Sequence, residues 1–539
     1  MSSRLDRALQ ALPLSYPGPG GAAAVLREGE VLASGAWGWA NAEARIEFTP
    51  KTLFRICSIT KQFTCAAVLD AFPDPSVLDD DVHARLPNLE QPAPAALDLF
   101  HNQSGLRDYW AIAMLHGAAP EQAFGGTEAA AIIGGARTLQ FAPGSRYSYC
   151  NQNFRILADI LQDRTGQGFA ERLRTRLFER VGMGNALLAA DTRALPDGAE
   201  GYEGDQTAGF RPAINRIFWT GDAGMAASLD DLIAWERHID ATRDDPEALY
   251  GRLSRPVAFA DGHPAPYGFG LRRATELGRQ ISGHGGALRG WRSYRFYARA
   301  ERVSVVVLFN HMADAHDAAI DLFAAVLDED RPTRSPLPSP PPAWLGAYMD
   351  PETGLSARIE PLADGVRLRF AHAPEELPAD ADGADLEGEL RLRPDGGDVL
   401  MDRPAENLHT RLIRCAEGPG GDIAGRYRCE ELGADLTVTG AEGVHYGAFS
   451  GFLGEGRMEL LNPIGKDVWA LPCSRALDHT PPGDWTLALG RDHQGRAIAA
   501  TVGCWLARGL NYVRQGSPKR GGPSYERNRA ARVPANDRP

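Results

Sequence analysis

Residues 330–344 read "DRPTRSPLPSPPPAW" and divide this chain into two parts. Repeated prolines lack a backbone donor and hold the chain extended, so no helix or sheet runs through such a stretch. The residues on either side must bury their apolar side chains separately. A chain of 539 residues is in any case too long for one core. Before the divide, residues 1–330 mix strand-like and helix-like runs. After it come short alternating runs broken by Gly, Asp and Pro, the pattern of antiparallel strands.

The downstream part repeats itself. "LGAYMDPETGL" (345–355) and "AGRYRCEELGA" (424–434) share Gly-x-Tyr-x-x-x-Glu-x-Gly. One common offset relates Gly346 to Gly425, Tyr348 to Tyr427, Glu352 to Glu431 and Gly354 to Gly433. Agreement in register at four positions predicts two copies of a small β unit of about 80 residues, each closing as an antiparallel barrel. The expected boundaries are 331–342 for the linker, 343–418 and 419–515 for the barrels, and 516–539 for a disordered Gly/Pro/Arg-rich tail.

Upstream, "GGAAAVLREGEVLASGAWGWAN" predicts two strands joined at a tight Glu-Gly-Glu turn. "YGFGLRRAT" (267–275) and "RGWRSYRFYARAERVSVVVLFNH" (289–311) predict three more, and "AAIDLFAAVLDED" a closing helix. "KQFTCAAVLDAF", "NFRILADILQDRTG" and "LDDLIAWERHID" predict helices between them, the last capped by Ser228 with Asp231. The expected class is multidomain α+β: an antiparallel sheet built from both ends of 1–330 with a helical insertion, then two small barrels.

A net charge of −13 argues against a general nucleic-acid binder. No stretch approaches a membrane span, and the first residues lack the apolar core of a secretory leader. The seven cysteines are scattered, and Cys57 and Cys65 stand too far apart for a zinc knuckle. Free thiols in a cytoplasmic protein without metal or cofactor are the expectation.

"FRICSITKQF" places Ser58 and Lys61 at the start of an apolar run. Alone, the pair reads equally as a helix start with a solvated lysine. Three further stretches accompany it. "FAPGSRYSYCNQNF" holds Tyr149-Cys150-Asn151, "ISGHGGALRG" holds His284-Gly285-Gly286 at the expected head of a strand, and "LFHNQSGLRDYW" holds His101 and Ser104-Gly105-Leu106. With Ser58, Tyr149 and His284 in that order along the chain, the stretches resemble the penicillin-recognising serine hydrolases, the serine β-lactamase/DD-peptidase family. Their marks are Ser-x-x-Lys, Tyr-x-Asn and a Lys/His-Thr/Gly-Gly triad. The resemblance spans most of residues 15–330.

The resemblance implies a β-lactamase/DD-peptidase-like catalytic domain and roles for its residues. Ser58 is the expected nucleophile, and Lys61, one helical turn on, the group that accepts its proton. Tyr149 would relay a proton to the leaving nitrogen, and Asn151 would hold the substrate amide. His284 would stand where many relatives carry lysine, as a weaker, pH-dependent cation. Gly286 would let the substrate approach the strand edge, and the N–H groups of Ser58 and Ala287 would form the oxyanion hole. Cys57, Cys65 and Cys150 flank these motifs without a paired base and read as packing residues.

A catalytic unit, a Pro-rich joint and two small barrels resemble the D-aminopeptidase branch of the family. This implies release of small N-terminal D-residues (D-Ala above all, with D-Ser and Gly) from peptides, amides and esters. It also implies a homodimer, and a loop of the last barrel in the active site. "SRALDHTPPGD" (474–484) is the corresponding stretch, with Asp478 facing the substrate ammonium. The alternatives are a D-stereospecific esterase or amidase, a DD-carboxypeptidase or β-lactamase-like enzyme, and a non-catalytic penicillin-binding sensor.

Overall fold

The computed structural model describes residues 3–331 and 344–516, apart from 364, 371–372, 380–381, 387, 419–420, 474–476 and 478–482. The Pro-rich linker beyond Arg331, Asp478 with most of the 474–484 loop, and the tail beyond Gly516 lie outside the described residues.

The first part is built on an eight-stranded antiparallel sheet. Its strands are β1 (Gly20–Arg27), β2 (Glu30–Asn41), β3 (Ile46–Glu47), β4 (Tyr267–Gly268), β5 (Leu271–Glu276), β6 (Arg279–Leu288), β7 (Trp291–Ala298) and β8 (Val303–Phe309). They run in the order β4-β5-β6-β7-β8-β1-β2-β3, so both ends of the segment meet where β1 pairs with β8. The β1–β2 turn passes through Glu28 and Gly29, both with positive φ.

Two differences from the sequence reading matter for the site. "YGFGLRRAT" is two strands, because the chain turns at Phe269 and Gly270, both with positive φ. A Cβ on Gly270 would meet the Gln62 nitrogen and the Lys61 carbonyl carbon at 2.5 Å, so this turn lies against the helix that follows Ser58. The run around His284 is a full strand, β6, with His284 in its middle rather than at its head.

Both faces of the sheet are covered, which explains why β1 and β8 read as continuous apolar runs rather than alternating ones. Ala23, Val25, Val305, Val307 and Phe309 face helices α1 (Arg4–Ser15) and, at the end of the segment, Ala315–Leu327. Ala22, Ala24, Leu26, Val306 and Leu308 belong to the larger core. That core also takes in α2 (Thr60–Ala71), α3 (Asn151–Thr165) and α4 (Leu229–Ala241). Ser228 caps α4 as expected. Its hydroxyl accepts from the Asp231 N–H at 3.2 Å, and the Asp231 carboxylate accepts from the Ser228 N–H at 2.8 Å.

Two further antiparallel sheets follow, and each closes almost completely on itself. In the first, Ala379 and Ala384 bridge the two edges. In the second, Glu459–Leu460 pairs with the strand Val444–Gly451, Leu461 donates its N–H to the His445 carbonyl of that strand, and the chain then runs directly into the strand Asn462–Gly465 at the opposite edge. The repeated residues play matching parts. Tyr348 and Tyr427 lie on the first strand of each sheet and pair with Arg414 and Arg514 on the last. Both hydroxyls donate to a carbonyl four residues back, Trp344 and Ile423. Both repeated glutamates reach the first part: Glu352 pairs with Arg146 at 2.6 Å and Glu431 with Arg107 at 3.1 Å. Among the described residues, no helix is long and apolar enough to cross a membrane.

Candidate active site

Ser58 sits in a tight 3-10 turn, Cys57–Ile59, that runs directly into α2. Cys57 has φ +51°, a left-handed conformation that costs a residue with a side chain about 1–3 kcal/mol. The surroundings hold it. Ile56 donates its N–H to the Met225 carbonyl at 3.2 Å, and the Ser293 hydroxyl donates to the Ile56 carbonyl at 3.2 Å. Strand β6 presses against the same turn. A Cβ on Gly286 would stand 2.4 Å from the Ile56 carbonyl oxygen and 2.3 Å from the Ser293 hydroxyl.

Lys61 lies one turn after Ser58 and is wholly buried. Its ammonium donates to the Ser58 Oγ at 3.1 Å, the Asn151 Oδ1 at 2.8 Å and the Asp222 carbonyl at 2.7 Å. Burial disfavours the charged form and pulls Lys61 down to about 8, against the opposing pull of the Asp222 and Asp108 carboxylates. Tyr149 precedes α3 and donates its hydroxyl to the Ser58 Oγ at 2.7 Å. Burial holds this phenol well above its ordinary range, so it keeps its proton at neutral pH.

Asn151 does not line the cleft: it is 1% exposed, and both ends of its amide are engaged within the protein. Its Oδ1 faces Lys61, while its Nδ2 and backbone N–H donate to the Asp108 Oδ2 at 2.9 and 2.6 Å. A carboxylate only accepts, so Asp108 fixes which way the amide points. Burial pushes Asp108 up to about 6.

His284 is not a cation in this site. Burial, with Lys61 nearby, drives it down to about 3. Its Nδ1 faces the Gly285 carbonyl at 2.5 Å, an acceptor only, so the ring proton sits there. The Nε2 then accepts from the Tyr267 hydroxyl at 3.0 Å. Beyond Gly283 strand β5 no longer pairs with β6, which leaves one edge of β6 from His284 to Ala287 facing a cleft of about 430 Å³. Ser58, Tyr149, His284, Gly286 and Ala287 all line that cleft.

The sequence reading missed four contributors: Asp108, Asp222, Tyr267 and Trp505. Asp108 had a visible signal, an acid before an apolar run, but that signal marks a helix cap, and Asp108 does accept from the Trp110 N–H at 2.9 Å. Trp505 and Leu506 form a two-residue turn on the last sheet and line the cleft. The Trp505 ring lies parallel to Tyr149, within 8°, at 6.3 Å. His101 and Ser104-Gly105-Leu106 do not line the cleft. Ser104 bonds Asn153 at 3.0 Å, and a Cβ on Gly105 would meet the Phe141 carbonyl at 2.2 Å.

This arrangement of serine, buried lysine and tyrosine coincides with sequence similarity along 95% of the chain. A family model described as β-lactamase matches residues 5–329, and one described as D-aminopeptidase, domain B, matches 338–513. A D-aminopeptidase of Gluconobacter oxydans is 58% identical over 525 residues, covering 95% of this chain and 99% of that protein. The chain belongs to the β-lactamase-like D-aminopeptidase family. A D-aminopeptidase of Brucella melitensis is 47% identical over 95% of this chain and 98% of its own length. Among solved structures, the octameric penicillin-binding protein homologue of Pyrococcus abyssi shares the fold, with a TM-score of 0.52 and 21% identity. It covers 76% of this chain and 99% of its own. The D-amino acid amidase of Ochrobactrum anthropi has a TM-score of 0.51 at 20% identity, covering 60% and 99%. The family's D-aminopeptidase domain B model thus covers the two small sheets, one of which brings Trp505 to the cleft.

Proposed function

We propose that this chain is a D-aminopeptidase that releases small N-terminal D-residues through an acyl-enzyme on Ser58. The carrying observation is the Ser58 Oγ within hydrogen-bond reach of both Lys61 and Tyr149, in a chain 58% identical to a D-aminopeptidase. Lys61 with a proton lost takes the Ser58 proton as Oγ attacks the carbonyl carbon. Oxyanion charge is met by the N–H groups of Ser58 and of Ala287, the latter on β6. Tyr149 gives its proton to the departing nitrogen and is recharged by Lys61, and water then enters by the same groups in reverse. Asn151 acts through Lys61 as a positioning residue, and neutral His284 holds Tyr267 in the cleft wall.

The resemblance assigns Asp478 to the substrate ammonium, which requires a negative partner once removed from water. Hydrolysis of D-alanine p-nitroanilide, L-alanine p-nitroanilide and N-acetyl-D-alanine p-nitroanilide tests the reading. Only the first is expected to release p-nitroaniline at a useful rate. Preference for a free carboxyl terminus with indifference to acetylation would make the enzyme a carboxypeptidase. The family reading also carries a cytoplasmic homodimer, which light scattering and fractionation of cells test directly.

A further inference from the structure

We propose that Trp505 sets the leaving-group preference of this site, favouring substrates whose departing amine carries a flat apolar face. The proposal rests on the D-aminopeptidase reading above. Trp505 is held firmly. Its turn joins the strands Ala497–Cys504 and Ala507–Arg514, with Cys504 paired to Ala507. The Leu506 carbonyl accepts the Asp108 N–H at 2.9 Å, and the Arg508 carbonyl accepts from the Arg107 Nε at 2.8 Å. The Arg508 side chain reaches Glu406, in the turn between the last two strands of the first small sheet, at 3.3 Å. The first part of the chain and segments of both small sheets therefore fix where the indole stands.

The indole is half-buried and lines the cleft beside Tyr147, Tyr149 and Tyr267. Its ring runs parallel to Tyr149. In the reaction the scissile nitrogen must lie at the Tyr149 hydroxyl, because that group protonates it. The substituent on that nitrogen leaves Ser58 behind and passes along the wall next to Tyr149, where Trp505 is the largest side chain. A flat apolar substituent stacks there, whereas ammonia has nothing to offer it.

The test compares kcat/KM for D-alanine p-nitroanilide and D-alaninamide in the full-length protein, with D-phenylalaninamide as a control on the acyl side. The intrinsic difference between leaving groups cancels between variants. Trp505→Leu keeps apolar bulk and removes the flat ring, and it is expected to lower the anilide-to-amide ratio by about tenfold. Trp505→Phe should restore most of that ratio. Equal losses on both alanine substrates would mean that Trp505 only supports the fold, and would overturn the proposal. A shift confined to the D-phenylalaninamide-to-D-alaninamide ratio would place the indole against the acyl side chain and overturn it as well. A wild-type protein that hydrolyses none of the three fails the D-aminopeptidase reading itself, and the proposal with it.

Discussion

Arg107 donates from its Nε to the backbone carbonyl of Arg508, 2.8 Å away across 401 residues of chain. The next residue, Asp108, donates its N–H to the Leu506 carbonyl and holds the amide of Asn151, which in turn faces Lys61. The last sheet is thereby connected to the lysine beside Ser58 by three successive hydrogen bonds, through Asp108 and Asn151. It forms a wall of the cleft as well as a neighbour of it.

Ser58→Ala removes one hydroxyl from a site whose backbone is held by other residues. Turnover of D-alanine p-nitroanilide should fall by about 10³-fold or more, with the circular dichroism spectrum unchanged. Lys61→Met should cost about 10²–10⁴-fold, the usual weight of a positioned proton acceptor. Near-normal release by Ser58→Ala would end the acyl-enzyme mechanism.

The pH profile follows from Lys61, which works as an acceptor only after losing a proton. With Lys61 at about 8, kcat/KM should climb with pH and level off above that value. Asp108 is one of the carboxylates holding Lys61 up, so Asp108→Asn favours the neutral amine. The rising limb should then move to lower pH even as the plateau drops through loss of the Asn151 anchor. A limb that moves upward would assign it to another group.

Glu431 and Glu352 occupy equivalent repeat positions with unequal burial. Glu431 meets an Arg107 side chain that is 8% exposed, whereas Arg146, the partner of Glu352, is 25% exposed. Glu431→Gln leaves a buried guanidinium without its carboxylate and should cost about 1–3 kcal/mol of stability. Glu352→Gln should cost less than about 1 kcal/mol. Urea denaturation of the two variants side by side reads the difference, and equal losses would contradict it.

Gly286→Ala places a methyl group against the Ile56 carbonyl oxygen, backbone that cannot swing aside. The Ser58 turn must shift, at a cost of about 1–3 kcal/mol. Activity should fall far more than the melting midpoint, since the displaced turn carries the nucleophile. Gly278→Ala tests the opposite case of open space around a turn glycine, where strain arises from its φ of +74° alone. It should lower stability while sparing kcat/KM.

Several features were legible in the sequence because local spacing enforces them. A spacing of three residues, from a tight turn into the helix it opens, brings Lys61 under Ser58 whatever else the fold does. Strand alternation and the four repeated positions announced two related sheets, and their tyrosines, glutamates and glycines do occupy matching places. The capping pair Ser228 and Asp231 is likewise a matter of a single turn. What the sequence did not contain was the environment of these groups. His284 reads as a cation until burial and Lys61 make it neutral. Asn151 reads as a substrate contact until Asp108 and Lys61 claim both ends of its amide. Asp108 reads as a helix cap, and Trp505 as an apolar residue in a turn. Their places in the site come from contacts between distant segments, and protonation there depends on lost hydration. Both arise only when the packed chain excludes water, so spacing along the chain cannot encode them one residue at a time.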